Sequence, residues 1–238
     1  MSDFLCSVQQ AVCESAVKCG ILTKLPNCER LCNMKKLSIK LESNEQRDAA
    51  IMQHELNQEF APVNFLIRNE ESGKETVMNA EVICNEGFCV QQQGSGRDVM
   101  IVTLANQPSN SIGELVHPSG ATIFKVLSDG ERSYCVQKAA SAVGNAHPPF
   151  IRIEKVLVPL YLLAKMMGFN SASCVYRFKD RDGRVLGYVR PKLFFRKNTL
   201  IVKFKNGRGN SQVRGAMLGA ALLFVLLKGD PEVGNLLL

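Results

Sequence analysis

The run from Ala216 to Leu227 contains no polar side chain. A helix built from it is apolar on every face, so it must be enclosed by protein or by lipid. Length separates the two. Twelve residues at about 1.5 Å each give roughly 18 Å, well short of the roughly 30 Å hydrocarbon core that a spanning helix crosses. The expectation is a helix over Gln212–Leu227 buried inside the protein, so the rest of the chain has to supply walls around it.

The preceding sequence has the right period for such walls. Leu200, Val202 and Phe204 alternate with Ile201, Lys203 and Lys205 as in a half-buried strand, and Asn206–Asn210 reads as a turn. Further upstream, short alternating runs are separated by turn residues. Phe65–Arg68 precedes Ser72-Gly73, Phe88–Gln92 precedes Gly94–Gly96, and Arg97–Leu104 returns. Ser111–Val116 leads through His117–Gly120 into Ala121–Leu127, then Asp129-Gly130 and Ser133–Lys138. The clearest hairpin is Val175–Lys179, Arg181-Asp182-Gly183, Val185–Val189. Ile153–Gly168, with Pro159, reads as a strand leading into a helix. Many short strands at similar spacing predict a mostly β fold with some α: an antiparallel, hairpin-built barrel enclosing the apolar C-terminal helix.

The first 59 residues have a different period and read as a small helical region. Asp3 can cap a helix carrying Leu5, Val8, Val12 and Ala16, with Gly20 as its stop. A short helix is expected over Asn27–Lys35. A third begins at the capping-box pair Ser43 and Gln46, with Ala49, Met52 and Leu56 along one face. The expected organisation is residues 1–59 helical, 60–229 the barrel with its helix, and 230–238 a tail.

Charge is unevenly placed. The 238-residue chain carries a net +7, yet Tyr176–Gly215 alone holds twelve Lys and Arg against Asp180 and Asp182. A solvated basic face explains this as well as a dedicated anionic partner does; the partner would be nucleic acid or an acidic membrane surface. The candidate anion-binding residues are Arg190, Lys192, Arg196, Lys197, Lys203, Lys205, Arg208 and Arg214. Nine cysteines without a recognisable secretory signal point to reduced thiols and an intracellular, cytoplasmic setting; a place peripheral at membranes is what the basic stretch implies if its partner is anionic lipid.

No phosphate-loop, dinucleotide or zinc-hydrolase motif is present. Cys28, Cys32, Cys84 and Cys89 lack tight metal-ligand spacing and read better as small buried hydrophobes. His54, His117 and His147 stand in no recognisable relation to a nucleophile. The expectation is therefore a non-enzyme without metal or cofactor.

The order of the pieces resembles the tubby-like barrel of phospholipid scramblases and LURP-one-related proteins. The resemblance runs from the hairpin at Ser72-Gly73 through Gly96-Arg97-Asp98-Val99, Ile112–Val116, Phe124–Val136 and Val185–Val189 to the closing helix with Met217-Leu218-Gly219-Ala220. It spans roughly residues 60 to 228 and implies a membrane-associated phospholipid-binding protein. Scramblases place an acid-bearing calcium segment before the last helix. Lys197–Lys205 here has no carboxylate, so calcium activation is not carried over.

A second resemblance, the alternative reading, is to coronavirus replicase subunits. Gln10–Val17 and Arg47–Gln53 are similar to helices of the polymerase cofactor, and Arg214–Gly219 is similar to the closing helix of the small RNA-binding subunit. That likeness implies single-stranded RNA as partner and a homodimer seam at Gly215 and Gly219. The same two glycines serve equally well for close packing of the helix against the barrel wall. The interleaved Tyr176, Phe178, Tyr188, Phe194, Phe195 and Phe204 offer stacking only if they face outward, and alternation puts Phe178 and Phe204 on the core side.

Overall fold

The structure, a computed structural model, describes residues 23–83, 87–105, 110–130, 132–139, 149–159, 166, 174–192, 199–229, 233–234 and 236. The strands in chain order are β1 (Lys36–Leu41), β2 (Val63–Asn69), β3 (Thr76–Ile83), β4 (Gly87–Gln92), β5 (Asp98–Leu104) and β6 (Ser111–Val116). They continue as β7 (Thr122–Ser128), β8 (Ser133–Lys138), β9 (Ile151–Leu157), β10 (Cys174–Lys179), β11 (Val185–Pro191) and β12 (Thr199–Phe204). Helix α1 (Asn44–Glu55) joins β1 to β2, and α2 (Ser211–Phe224) follows β12. Each strand pairs antiparallel with its sequence neighbour, and β1 pairs with both β2 and β12 to close a twelve-stranded barrel. Closure leaves no open sheet edge.

The barrel encloses α2, as the apolar run requires. Every residue from Arg214 to Phe224 is buried, and Val225–Gly229 continues as a π-helical turn. Inward side chains from the walls, among them Phe65, Phe88, Phe124, Phe178 and Phe204, complete one core with Phe224. Full burial of a side chain of this size contributes about 1.5–3 kcal/mol. Phe224 stacks on Tyr176 with centroids 3.9 Å apart. Among the described residues no helix is long and apolar enough to cross a membrane.

Wall and helix approach closely at four glycines. A Cβ on Gly219 would lie 2.5 Å from Leu115 Cδ2, and one on Gly215 would lie 2.8 Å from Cys28 Sγ. From the wall side, a Cβ on Gly113 would meet Leu223 at 2.5 Å and one on Gly187 would meet Met217 Cε at 2.8 Å. The small-residue spacing of α2 is thus taken up inside the protomer, by wall and plug. These contacts also orient the helix: it enters where β12 ends and runs toward the end where α1 connects β1 to β2.

The entry end is sealed by Leu25–Met34, which contains a 3-10 turn at Glu29–Asn33. Leu25, Cys28 and Leu31 are buried there. Gln212 exchanges two hydrogen bonds with the Leu25 backbone, accepting from its N–H at 2.7 Å and donating to its carbonyl at 2.8 Å. Asn27 donates to the Asp98 carbonyl, and Gln92 donates to the Asn27 carbonyl, both at 2.8 Å.

The structure departs from the sequence reading in the N-terminal part. In place of a helix over Asn27–Lys35 there is only the 3-10 turn, and the next residues form β1, a strand the helical assignment of this region overlooked. Leu37, Ile39 and Leu41 do alternate inward, and β1 closes the barrel. Helix α1 begins as expected, with Ser43 Oγ accepting from Gln46 N–H at 3.3 Å. Its predicted apolar face, however, points to solvent: Met52 and Leu56 are 63% and 65% exposed, and Ala50 is the residue buried against the barrel. The helix carries too little apolar surface to dock by a whole face. The N-terminal helix from Asp3, together with the similarity at Gln10–Val17, lies outside the described residues, as do Cys84, His147 and most of the expected helix after Pro159.

Candidate anion-binding site

The eight basic candidates separate into four groups. Arg214 is a correction. Its guanidinium lies inside, 5% exposed, where one Nη donates to the carbonyls of Leu31, Cys32 and Met34 at 2.7, 2.8 and 2.6 Å. It also lies over the Phe204 ring, 5.0 Å from the centroid. Burial lowers its pKa, although a guanidinium stays charged. Arg214 fastens the plug to the helix and is not offered to a ligand. Sequence position alone made it look like part of the basic surface.

Arg190 and Lys192 sit half-buried at the end of β11. Lys192 Nζ lies 3.6 Å from Glu70 Oε2, and Arg190 donates to the Pro191 carbonyl at 3.3 Å. Burial works against the Glu70 charge, but a hydrogen bond with Ser38 and the cations Lys192 and Lys36 outweigh it and hold the carboxyl below its ordinary value. Lys192 therefore already has an anion. Arg196 and Lys197 lie outside the described residues, as do Phe194 and Phe195.

Lys203, Lys205 and Arg208 remain, all exposed, at the rim where α2 enters. Strand alternation places Lys203 outward because Val202 and Phe204 are buried. The turn after β12 then carries Lys205 N–H to the Leu186 carbonyl at 2.7 Å, and Arg208 Nη1 donates to the Val185 carbonyl at 3.2 Å. Among the described residues no carboxylate pairs with any of the three. Beside them lies an open trough of about 440 Å³, lined by Val185, Gly187, Tyr188, Lys203, Phe204, Lys205 and Asn206. Among the described residues none that lines it is acidic.

Cross-strand register extends this basic surface. Arg177 faces Tyr188, Tyr188 faces Lys203, and Lys203 faces Lys36, giving one row across β10, β11, β12 and β1 that is flanked by acids, Glu154 opposite Arg177 and Glu70 beside Lys36. Lys36 and Lys203 are like charges directly opposite each other, an arrangement that destabilises a sheet and that Glu70 offsets on the Lys36 side. Sequence reasoning missed Lys36 as a neighbour of the site, since only the pairing of β1 with β12 brings it there. Of the aromatics proposed for stacking, Tyr176, Phe178 and Phe204 are core, and Tyr188 is half-buried with Lys203 Nζ 5.7 Å from its ring centroid.

The remaining candidates are structural. Burial pushes the Cys28 thiol up to about 12, so it is a neutral core group beneath Gly215. Among the described residues no group of three or more His, Cys, Asp or Glu could hold a metal. His117 Nδ1 accepts from the Ser119 N–H at 3.0 Å, and the Ser119 hydroxyl lies 2.7 Å away, so the pair closes the β6–β7 turn. Sequence reading did not find this pair.

No protein family matches the chain, and no curated protein matches it. Among solved structures it is similar to an X-ray structure of a protein from Arabidopsis thaliana, at 12% identity and a TM-score of 0.31. That similarity covers 62% of this chain and 87% of the plant protein.

Proposed function

We propose that this chain is a scramblase-like, tubby-like barrel protein that attaches peripherally to anionic membrane surfaces through Lys203, Lys205 and Arg208. The observation that carries the reading is the exposure of these three cations, without acidic partners among the described residues, on the rim where α2 enters. A Lys or Arg near an anionic bilayer contributes about 1 kcal/mol, so three give an attachment that salt should weaken strongly. The basic stretch Lys197–Lys205 carries no carboxylate for calcium, and the attachment is calcium-independent.

Flotation on phosphatidylserine-containing and neutral liposomes tests this reading. The protein should float on the anionic vesicles only, and the Lys203→Glu/Lys205→Glu/Arg208→Glu variant should stay at the bottom of the gradient. Flotation that survives charge reversal would sink the proposal. So would loss of flotation when unstructured single-stranded RNA is added in stoichiometric amounts, because that outcome would move the site to nucleic acid.

A further inference from the structure

We infer that the trough beside Tyr188 is a discrete site for one amphipathic phosphate: a phosphate monoester head joined to an apolar or aromatic body. The inference deepens the membrane reading, since it uses the same rim cations, but it asks for one bound molecule where that reading needs only a diffuse charged surface.

The shape comes from the wall itself. At Gly187 strand β11 comes in against the helix, because a Cβ there would lie 2.1 Å from the Lys203 carbonyl oxygen and 2.8 Å from Met217 Cε. A wall that dips inward leaves a hollow outside, and the trough lies over this dip. Its volume of about 440 Å³ falls within the range of pockets that hold small molecules, roughly 300–1,000 Å³.

The lining is divided chemically. Val185, the Gly187 backbone and the Tyr188 ring form an apolar floor, while Lys203 and Lys205 stand at the rim with the Asn206 amide. Arg208 is tethered beside them by its bond to the Val185 carbonyl. Lys203 is drawn over the Tyr188 ring, which sets an ammonium where a flat or apolar group resting on that ring would bring its phosphate. A bare phosphate would satisfy the rim and leave the floor wet. A neutral apolar molecule would fill the floor and leave the rim ammoniums of Lys203 and Lys205 without a counter-charge. Only a ligand with both parts answers both halves of the site. The head can come from a phospholipid at a membrane or from a soluble aromatic phosphate, and the chemistry is shared.

Titration calorimetry on the full chain with three probes tests this: inorganic phosphate, short-chain dihexanoyl-phosphatidic acid below its micellar concentration, and phenyl phosphate. At least one amphipathic probe should bind with one-to-one stoichiometry and at least ten-fold more tightly than inorganic phosphate. Tightest binding of phosphatidic acid assigns the lipid source, and tightest binding of phenyl phosphate assigns the soluble one. Tyr188→Ser should abolish the advantage over inorganic phosphate, and Lys203→Ala should weaken both amphipathic probes. Equal affinity for all three probes, or no saturable one-to-one binding, overturns the inference. Flotation measured on the same preparations keeps the two readings apart. Vesicle binding without one-to-one probe binding leaves the membrane reading standing and removes the discrete site, and the converse result removes the membrane reading alone.

Discussion

Arg208 and Arg214 lie six residues apart in one basic stretch, yet they have opposite roles. Arg214 is enclosed where α2 meets the plug, and its charge is spread over three carbonyls from a segment about 180 residues earlier. Arg208 is exposed on the rim, with one bond to the Val185 carbonyl. The first holds the barrel shut, and the second is free to meet something else. The difference lies in geometry: α2 turns Arg214 inward one turn after its Asn210 cap, while the Asn206–Asn210 turn leaves Arg208 outside. A basic run is therefore not one site, and its members are assigned by what each guanidinium or ammonium already touches.

The comparison breaks most readily at Arg214. Arg214→Met leaves the Leu31, Cys32 and Met34 carbonyls without their shared donor inside the plug. Each orphaned buried acceptor costs roughly 1–3 kcal/mol, less when they relax together. We expect a loss of about 3 kcal/mol in urea unfolding, with the plug becoming accessible to protease. A loss under about 1 kcal/mol, within reach of an ordinary surface substitution, would show that the carbonyls find other partners.

Gly187→Ala is next. Its Cβ would overlap the Lys203 carbonyl, which as backbone on the paired strand cannot swing away. Overpacking of this kind costs roughly 1–3 kcal/mol, and here it should also deform the trough. Stability and probe affinity should fall together in this variant. They should separate in every rim substitution, which sharpens the contrast between wall and surface.

Much of this arrangement was legible before any coordinates, and the failures have physical reasons. The enclosed helix followed from Ala216–Leu227 having no polar face, and most wall strands followed from period-two alternation. Strand β1 carried the same alternation at Leu37, Ile39 and Leu41, but it is short and lies between a turn and a helix, so neighbouring signals masked it. Met52 and Leu56 had helical spacing that promised burial, and α1 instead docks through Ala50. At the site, Lys203, Lys205 and Arg208 were readable as basic residues on a strand and turn. Lys36 and the burial of Arg214 were not, because both depend on contacts between residues more than 160 positions apart.

A smaller effect is expected at Glu70. Its folded carboxyl titrates below the ordinary value, so it contributes stability that is complete above the unfolded pKa and is lost as pH falls through the folded one. Glu70→Gln should flatten that part of the acid limb of the stability profile. Unchanged acid sensitivity would mean that Lys192 and Lys36 do not hold this charge, and would return Lys192 to the set of cations open to a ligand.

The smallest expected change in stability belongs to Lys205→Ala, and it is the most informative counterpart to Arg214. Lys205 is exposed, and its backbone N–H, which the substitution retains, makes the bond to the Leu186 carbonyl. Unfolding free energy should stay within about 0.5 kcal/mol of the parent. Binding to anionic vesicles should nevertheless weaken about five-fold, the equivalent of one cation at a charged bilayer surface. An intact fold with reduced binding would place the contribution of Lys205 in contact with a partner. A loss of stability comparable to that at Arg214 would instead make Lys205 part of the barrel's own support, and would leave Lys203 and Arg208 as the outer cations.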